Sequence, residues 1–265
     1  MEKQLKYKNG IINYKISGEG NTLVLLHGFI GSLEGWNYFS RELSKDFQVV
    51  CIDLPGHGRT TVFGEVHTMD FMSDCVNEVL VNEQIDNCVM IGHSMGGYAT
   101  LAYAENYPDK LIGFGLFHSH ASPDSTQKKK DRDQAIRIAS KRPELLISEM
   151  LPKLFANEDI SPYPDEACQL SSAANNMPWE GITAALAGMR DREDKQHVLQ
   201  FSNVPILYIL GEKDPVINYL DCKSQMESND LIVPCLLPNA GHMGFIEDKI
   251  RTLQVVKEFV LACFP

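Results

Sequence analysis

Long uninterrupted apolar runs are missing from this chain. A helical membrane span needs about 18 or more consecutive apolar residues, so none is expected. The opening stretch "MEKQLKYKNGIINYKISGEG" has no continuous apolar segment of the secretory kind, which points to a cytoplasmic location. Basic residues are in the minority: 24 Lys and Arg stand against 35 Asp and Glu, a formal net charge of −11. That balance argues against nucleic acid or an anionic membrane as the main partner. The seven cysteines are odd in number, scattered and without a CxxC pair. Neither a disulfide framework nor a zinc site follows, and most are expected to be small buried hydrophobes in a reducing compartment. No internal repeat or low-complexity tract appears. What remains is a chain of 265 residues, 44% hydrophobic and 22% charged, with enough length to bury a large core.

Two alternating segments, Gln4–Lys8 and Ile11–Ile16, flank Asn9-Gly10, a pair that tolerates a tight turn; an antiparallel hairpin at a sheet edge is predicted. Short apolar runs follow: "TLVLL", "FQVVCI", "CVMI", "IGFGLF", "PILYIL" and "PCLL". Such runs suit strands covered on both faces, as in a parallel sheet. Segments of helical period lie between several of them: Leu33–Lys45, Asp70–Gln84, Met95–Tyr107 and Lys249–Ala262. The fold class is therefore α/β, a doubly wound and mostly parallel sheet. From residue 121 to 197 no strand is legible, only helical stretches punctuated by Pro143, Pro152, Pro162, Pro164 and Pro178. This interval reads as a helical cap over a core formed by residues 1–120 and 198–265. Its charge run "KKKDRD" is expected to be a solvated helix face.

"VMIGHSMGGYAT" places Ser94 between Gly92 and Gly96, after a strand and before a helix. A strained strand-to-helix corner of this kind lifts a serine hydroxyl above the sheet. A hydroxyl needs a base, and the base needs an orienting group. Asp214 in "YILGEKDPV" follows one strand and His242 in "LLPNAGHMGF" follows the last, giving the chain order Ser94, Asp214, His242. His242 would take and return the serine proton, and Asp214 would fix its tautomer. Gly28 in "LVLLHGFIGS" would let the backbone turn so that the Phe29 and Met95 N–H groups converge as an oxyanion hole.

"HGF", "DLPGHGRT", "GHSMGG", "GEKDPV" and "AGHMGFIE" occur in the order seen in the α/β-hydrolase superfamily, which the chain resembles over nearly its whole length. The resemblance implies a serine hydrolase of esterase or thioesterase type with an acid after the strand Ile206–Leu210, which supports Asp214. It implies a structural part for Asp53, with Thr60 standing where the family often has serine. Serine at the elbow, where haloalkane dehalogenases and epoxide hydrolases carry aspartate, disfavours those reactions.

His118 and Ser119, after another strand, are expected to line the substrate pocket, as is Trp179 of the cap. His118 and His120 could share a metal only if further ligands joined them, and no metal or other cofactor is expected. Asp124 lies farther past its strand than a triad acid should, and His93 is expected to be buried against neighbouring loops. Of Met150, Leu151, Leu154, Phe155, Met177, Trp179, Leu186 and Met189, about two thirds should pack the cap and the rest line an apolar acyl pocket. Acidic residues of the cap, Glu144, Glu149, Asp165, Glu166 and Glu180, could recognise an amine, although solvation is the simpler account. The partner is then a small acyl-bearing molecule, cleaved through an acyl-enzyme; oligomeric state is open. A carbon–carbon bond hydrolase or a perhydrolase would use the same triad. A receptor or scaffold would need none of it, and retention of all three residues argues against that reading.

Overall fold

The computed structural model describes residues 1–264. Eight strands form one sheet: β1 (Glu2–Tyr7), β2 (Gly10–Ser17), β3 (Thr22–Leu26), β4 (Gln48–Ile52), β5 (Cys88–His93), β6 (Leu111–Phe117), β7 (Ile206–Gly211) and β8 (Ile232–Leu237). Their order across the sheet is β1-β2-β4-β3-β5-β6-β7-β8. The pairs β1/β2 and β2/β4 are antiparallel and all others parallel. After β3 the chain first adds β4 on one side and then β5 on the other. The loops leaving β3 and β5 therefore part at their carboxyl ends, the place where open α/β sheets bind ligands.

The hairpin turn sits one residue earlier than the sequence suggests. Tyr7 pairs with Gly10, so Lys8 and Asn9 make the turn, and Lys8 carries the positive φ of 48°. Gly10 is needed for space instead: a β-carbon there would fall 2.5 Å from the Thr61 side chain. At the other edge β8 begins at Ile232 and runs through Pro234, which an edge strand tolerates because one row of its N–H groups has no strand to meet.

On one face of the sheet lie α2 (Met69–Asn82) and α3 (Met95–Asn106); on the other lie α1 (Asn37–Leu43) and the terminal helix (Lys249–Cys263). The central strands feed both faces by simple alternation. In β3, Val24 and Leu26 join Met72, Val76 and Met90, whereas Leu23 and Leu25 join Phe39, Val256 and Phe259. The expected helix Leu33–Lys45 divides into a 3₁₀ turn, Leu33–Trp36, and α1. Thr68 caps α2 by accepting from the Phe71 N–H.

Between β6 and β7 stand five α-helices: α4 (Thr126–Ala139), α5 (Pro143–Met150), α6 (Pro164–Asn175), α7 (Trp179–Arg190) and the short α8 (Gln196–Gln200). Pro143 and Pro164 occupy first-turn positions, where a missing N–H costs nothing. Helix α4 packs against α7, and α7 buries Ile182, Ala185, Leu186 and Met189 in the same core as α2 and α3.

Asp53, 2% exposed, ties β2 to the loops that follow β3 and β4. Its Oδ1 accepts from the Leu33 N–H (2.7 Å), and its Oδ2 accepts from Asn13 Nδ2 (2.8 Å) and the Arg59 N–H (3.0 Å). Thr60 supplies the hydroxyl its position requires, donating to the Asp53 carbonyl (2.6 Å) and accepting from the Asn13 N–H (2.9 Å). Threonine in place of serine therefore loses nothing. Asp53→Ala strands three donors, so chemical denaturation should show a loss of at least about 3 kcal/mol. The exposed Glu65→Ala should change stability by less than about 0.5 kcal/mol.

Candidate active site

Ser94 occupies the corner between β5 and α3 with φ 50° and ψ −114°, a conformation that L side chains rarely adopt. Close packing imposes it. A β-carbon on Gly92 would lie 2.1 Å from the Gly96 carbonyl oxygen, and one on Gly96 would lie 2.5 Å from that of Leu26. The Ser94 N–H donates to the Phe117 carbonyl (2.9 Å), and Ser119 Oγ donates to the Ser94 carbonyl (2.8 Å), fixing the corner from β6.

The three side chains separated in sequence meet here. His242 Nε2 lies 2.9 Å from Ser94 Oγ, and His242 Nδ1 lies 2.8 Å from Asp214 Oδ2. Asp214 Oδ1 accepts from the Val216 and Ile217 N–H groups at 2.8 and 2.9 Å. Because the carboxylate can only accept, His242 Nδ1 is the protonated nitrogen and Nε2 is free to accept from the hydroxyl. The loop carrying His242 is held in turn by Glu247, whose Oε2 accepts from the Gly241 and Met243 N–H groups and whose Oε1 accepts from the Ala156 N–H (2.8 Å). Glu247, in the stretch "FIE", is not legible as a site residue from the sequence; its only signal there is its spacing after His242.

A second imidazole shares Asp214. His118 Nδ1 lies 3.1 Å from the same Oδ2, and its Nε2 accepts from the Gly244 N–H (3.2 Å), which fixes its tautomer. Fully buried, His118 does not line the cavity, contrary to the sequence expectation. Its φ of 50° swings the ring inward toward Asp214. The same kink parts it from His120, which sits beside Tyr98 and Arg192. Ser119, also fully buried, supports the elbow rather than the pocket. Trp179 begins α7 with 43% of its surface exposed and lies off the cavity.

Ligand atoms of His118, Asp214 and His242 lie within 4.8 Å of one another, a spacing a metal could span. Each of the atoms that converge is engaged in the hydrogen bonds just described, so the cluster is a complete network without an ion. Asp124 is bound at 2.5 Å by both Arg132 and Arg192 and does not reach His242.

Phe29 lines the cavity, and Met95 is the first residue of α3, where N–H groups lack helical acceptors. Gly28 has another reason to be glycine than the turn expected of it: a β-carbon would meet His93 Nδ1 at 2.5 Å. His93 is buried as expected and donates from Nε2 to the His242 carbonyl (2.9 Å).

Above Ser94 and His242 opens a cavity of about 620 Å³. The cap contributes Leu146, Met150, Leu151, Leu154, Leu186 and Met189 to its walls. Five of the eight cap residues named from sequence thus line it, more than expected, while Phe155, Met177 and Trp179 do not.

A model of the alpha/beta hydrolase family matches residues 23–253. The chain belongs to that family. This α/β-hydrolase is 26% identical to a thermophilic esterase from Thermogutta terrifontis, solved with malate bound, with a TM-score of 0.93 and full coverage of both chains. It is 26% identical over 258 residues to the AB hydrolase superfamily protein YisY of Bacillus subtilis, covering 91% of this chain and 92% of that one. It is also 28% identical over 256 residues to the dihydrolipoyllysine-residue acetyltransferase component of an acetoin cleaving system from Pseudomonas putida. The match takes in 93% of the hydrolase but spans only 65% of that relative's length. No helix among the described residues is long and apolar enough to cross a membrane.

Burial opposes charge on Asp214, yet His242 and His118 together hold its carboxyl well below the usual range. Burial also holds six of the eight histidines below their ordinary value: His27, His57, His93 and His118, with His67 and His120 at about 4. Unfolding frees these rings to bind protons at about pH 6.5. Stability from them is present above that pH and is lost as pH falls below it, because the unfolded chain then holds more protons. The unfolding free energy from urea titrations should be nearly level above about pH 7 and fall below about pH 6 with a slope of several protons. A level profile from pH 7 to 5 would contradict this burial of neutral rings.

Proposed function

We propose that this α/β-hydrolase is a cofactor-free serine hydrolase that cleaves a small ester or thioester through an acyl-enzyme. The observation that carries the reading is the unbroken contact from Ser94 Oγ through His242 to Asp214, 2.9 and 2.8 Å long. As Ser94 Oγ attacks the acyl carbon, its proton passes to His242 Nε2. Asp214 stabilises the imidazolium while His242 Nδ1 keeps its own proton. Negative charge developing on the acyl oxygen is met by the Phe29 and Met95 N–H groups, each such donor being worth about 10²–10³ in rate. The imidazolium then gives the proton to the departing alkoxide or thiolate. Water repeats the cycle on the acyl-enzyme, with His242 as base, and releases the acid.

The mostly apolar cavity supports a small acyl group as the bound portion. The esterase activity named for the Thermogutta protein supports an ester over an amide or halide. All seven cysteines stand unpaired, which favours a reducing, cytoplasmic setting.

Ser94→Ala and His242→Ala should each lower turnover of 4-nitrophenyl esters by up to about 10⁶-fold without unfolding the protein. Rates along a chain-length series of nitrophenyl esters and acyl thioesters should pass through an optimum set by the cavity. Parent-like rates in Ser94→Ala would sink the mechanism. Turnover confined to vinylogous ring-fission diketones would make the reaction carbon–carbon hydrolysis.

A further inference from the structure

The cavity wall formed by the helices between β6 and β7 is not apolar throughout. Helix α4 presents Lys128, Asp131, Arg132, Ala135 and Ile138 to it, positions three or four residues apart that share one helix face. Within the run "KKKDRD", Lys129 and Lys130 are exposed, as a solvated face requires, but Lys128 and Arg132 are not.

Arg132 Nε binds Asp124 Oδ2, and Arg192 Nη1 binds Asp124 Oδ1, each at 2.5 Å. Arg192 also lies 4.0 Å over the ring of Tyr98, itself a cavity residue. One buried carboxylate thus serves two guanidinium groups. Lys128, half-buried beside them, has no hydrogen bond or ion pair from its ammonium among the described residues. Burial and the neighbouring Arg132 push its pKa below the ordinary value, although Asp124 and Asp131 act the other way. Asp131 is exposed and accepts from Gln127. The other charged cavity residues, Lys153 and Glu158, are both exposed and opposite in sign. In a chain of net charge −11, this wall holds a local excess of positive charge with an unmatched ammonium on it.

We propose that Lys128, backed by Arg132, forms a carboxylate-binding subsite, so that the preferred substrate is an ester bearing a free carboxylate besides its scissile carbonyl. The subsite rests on the hydrolase reading for the reaction but not for the binding. A carboxylate entering the cavity replaces its lost hydration with charge-assisted hydrogen bonds from Lys128 and matches the charge that burial disfavours there. Such contacts are worth about 10- to 100-fold in discrimination over an uncharged analogue.

Proton release from monomethyl glutarate and methyl pentanoate, and from monomethyl adipate and methyl hexanoate, provides the test. The carboxylate ester of each pair should have a kcat/KM at least about tenfold higher, and Lys128→Met should shrink that ratio about tenfold. Comparing a ratio within one variant removes any general effect on folding or turnover. Calorimetry on Ser94→Ala reads the subsite without catalysis: glutarate should bind, glutaramide should not, and added salt or Lys128→Met should weaken the glutarate. Neutral esters preferred or equal, a ratio unchanged in Lys128→Met, or glutarate binding indifferent to Lys128 would overturn the subsite. Glutarate binding that depends on Lys128 without turnover of any ester would instead overturn the hydrolase reading and keep the subsite.

Discussion

Asp214 keeps a negative charge in a place nearly closed to water because four N–H groups converge on its two oxygens. Two come from the backbone just after it, one from His242 and one from His118. An isolated carboxylate buried this way would take up a proton, and a protonated acid could not hold His242 in its accepting tautomer. The fold supplies these donors from three places: the turn after β7, the loop after β8 and the kinked end of β6. Displacing any of these three segments would unmake the charge and, with it, the basic nitrogen presented to Ser94. His118 adds a restraint as well as a bond. By sharing Oδ2 with His242 it spreads the carboxylate's charge over two imidazoles and fixes the plane in which that charge is offered.

The cap is bound to this network rather than merely placed over it. His242 donates its backbone N–H to the Leu154 carbonyl, and Glu247 grips both the His242 loop and the Ala156 amide. Leu151 and Leu154, which wall the cavity, lie within a few residues of those contacts. Cavity shape and the placement of the His242 imidazole are therefore coupled through one short segment. Helix α4, tied through Asp124 to Arg192 after α7, brings charge to a cavity that is otherwise largely apolar.

The features legible in the sequence are those with local causes. Ser94 announces itself because the glycines that permit its corner flank it directly, and Asp214 and His242 because each follows an apolar strand in the expected order. The strandless stretch between β6 and β7 is visible as a loss of pattern. Four failures share a different cause, since each depends on a neighbour distant in sequence. Gly10 answers to Thr61, Gly28 to His93, and His118 to Asp214 and Gly244. Lys128 looks like an ordinary surface charge until α4 is set against the cavity, because its pocket-facing period of three and four residues crosses a charged run that hydropathy treats as solvated. Trp179 errs the other way: a large aromatic at helical spacing suggests a pocket, but its place on the first turn of α7 turns it outward.

The most direct measurement of the central claim is covalent labelling by a fluorophosphonate, with the modified peptide located by mass spectrometry. One stoichiometric adduct on Ser94 is predicted, formed at a rate that collapses when His242 is replaced by alanine. An adduct on another residue, or labelling that proceeds unchanged without the imidazole, would contradict the account.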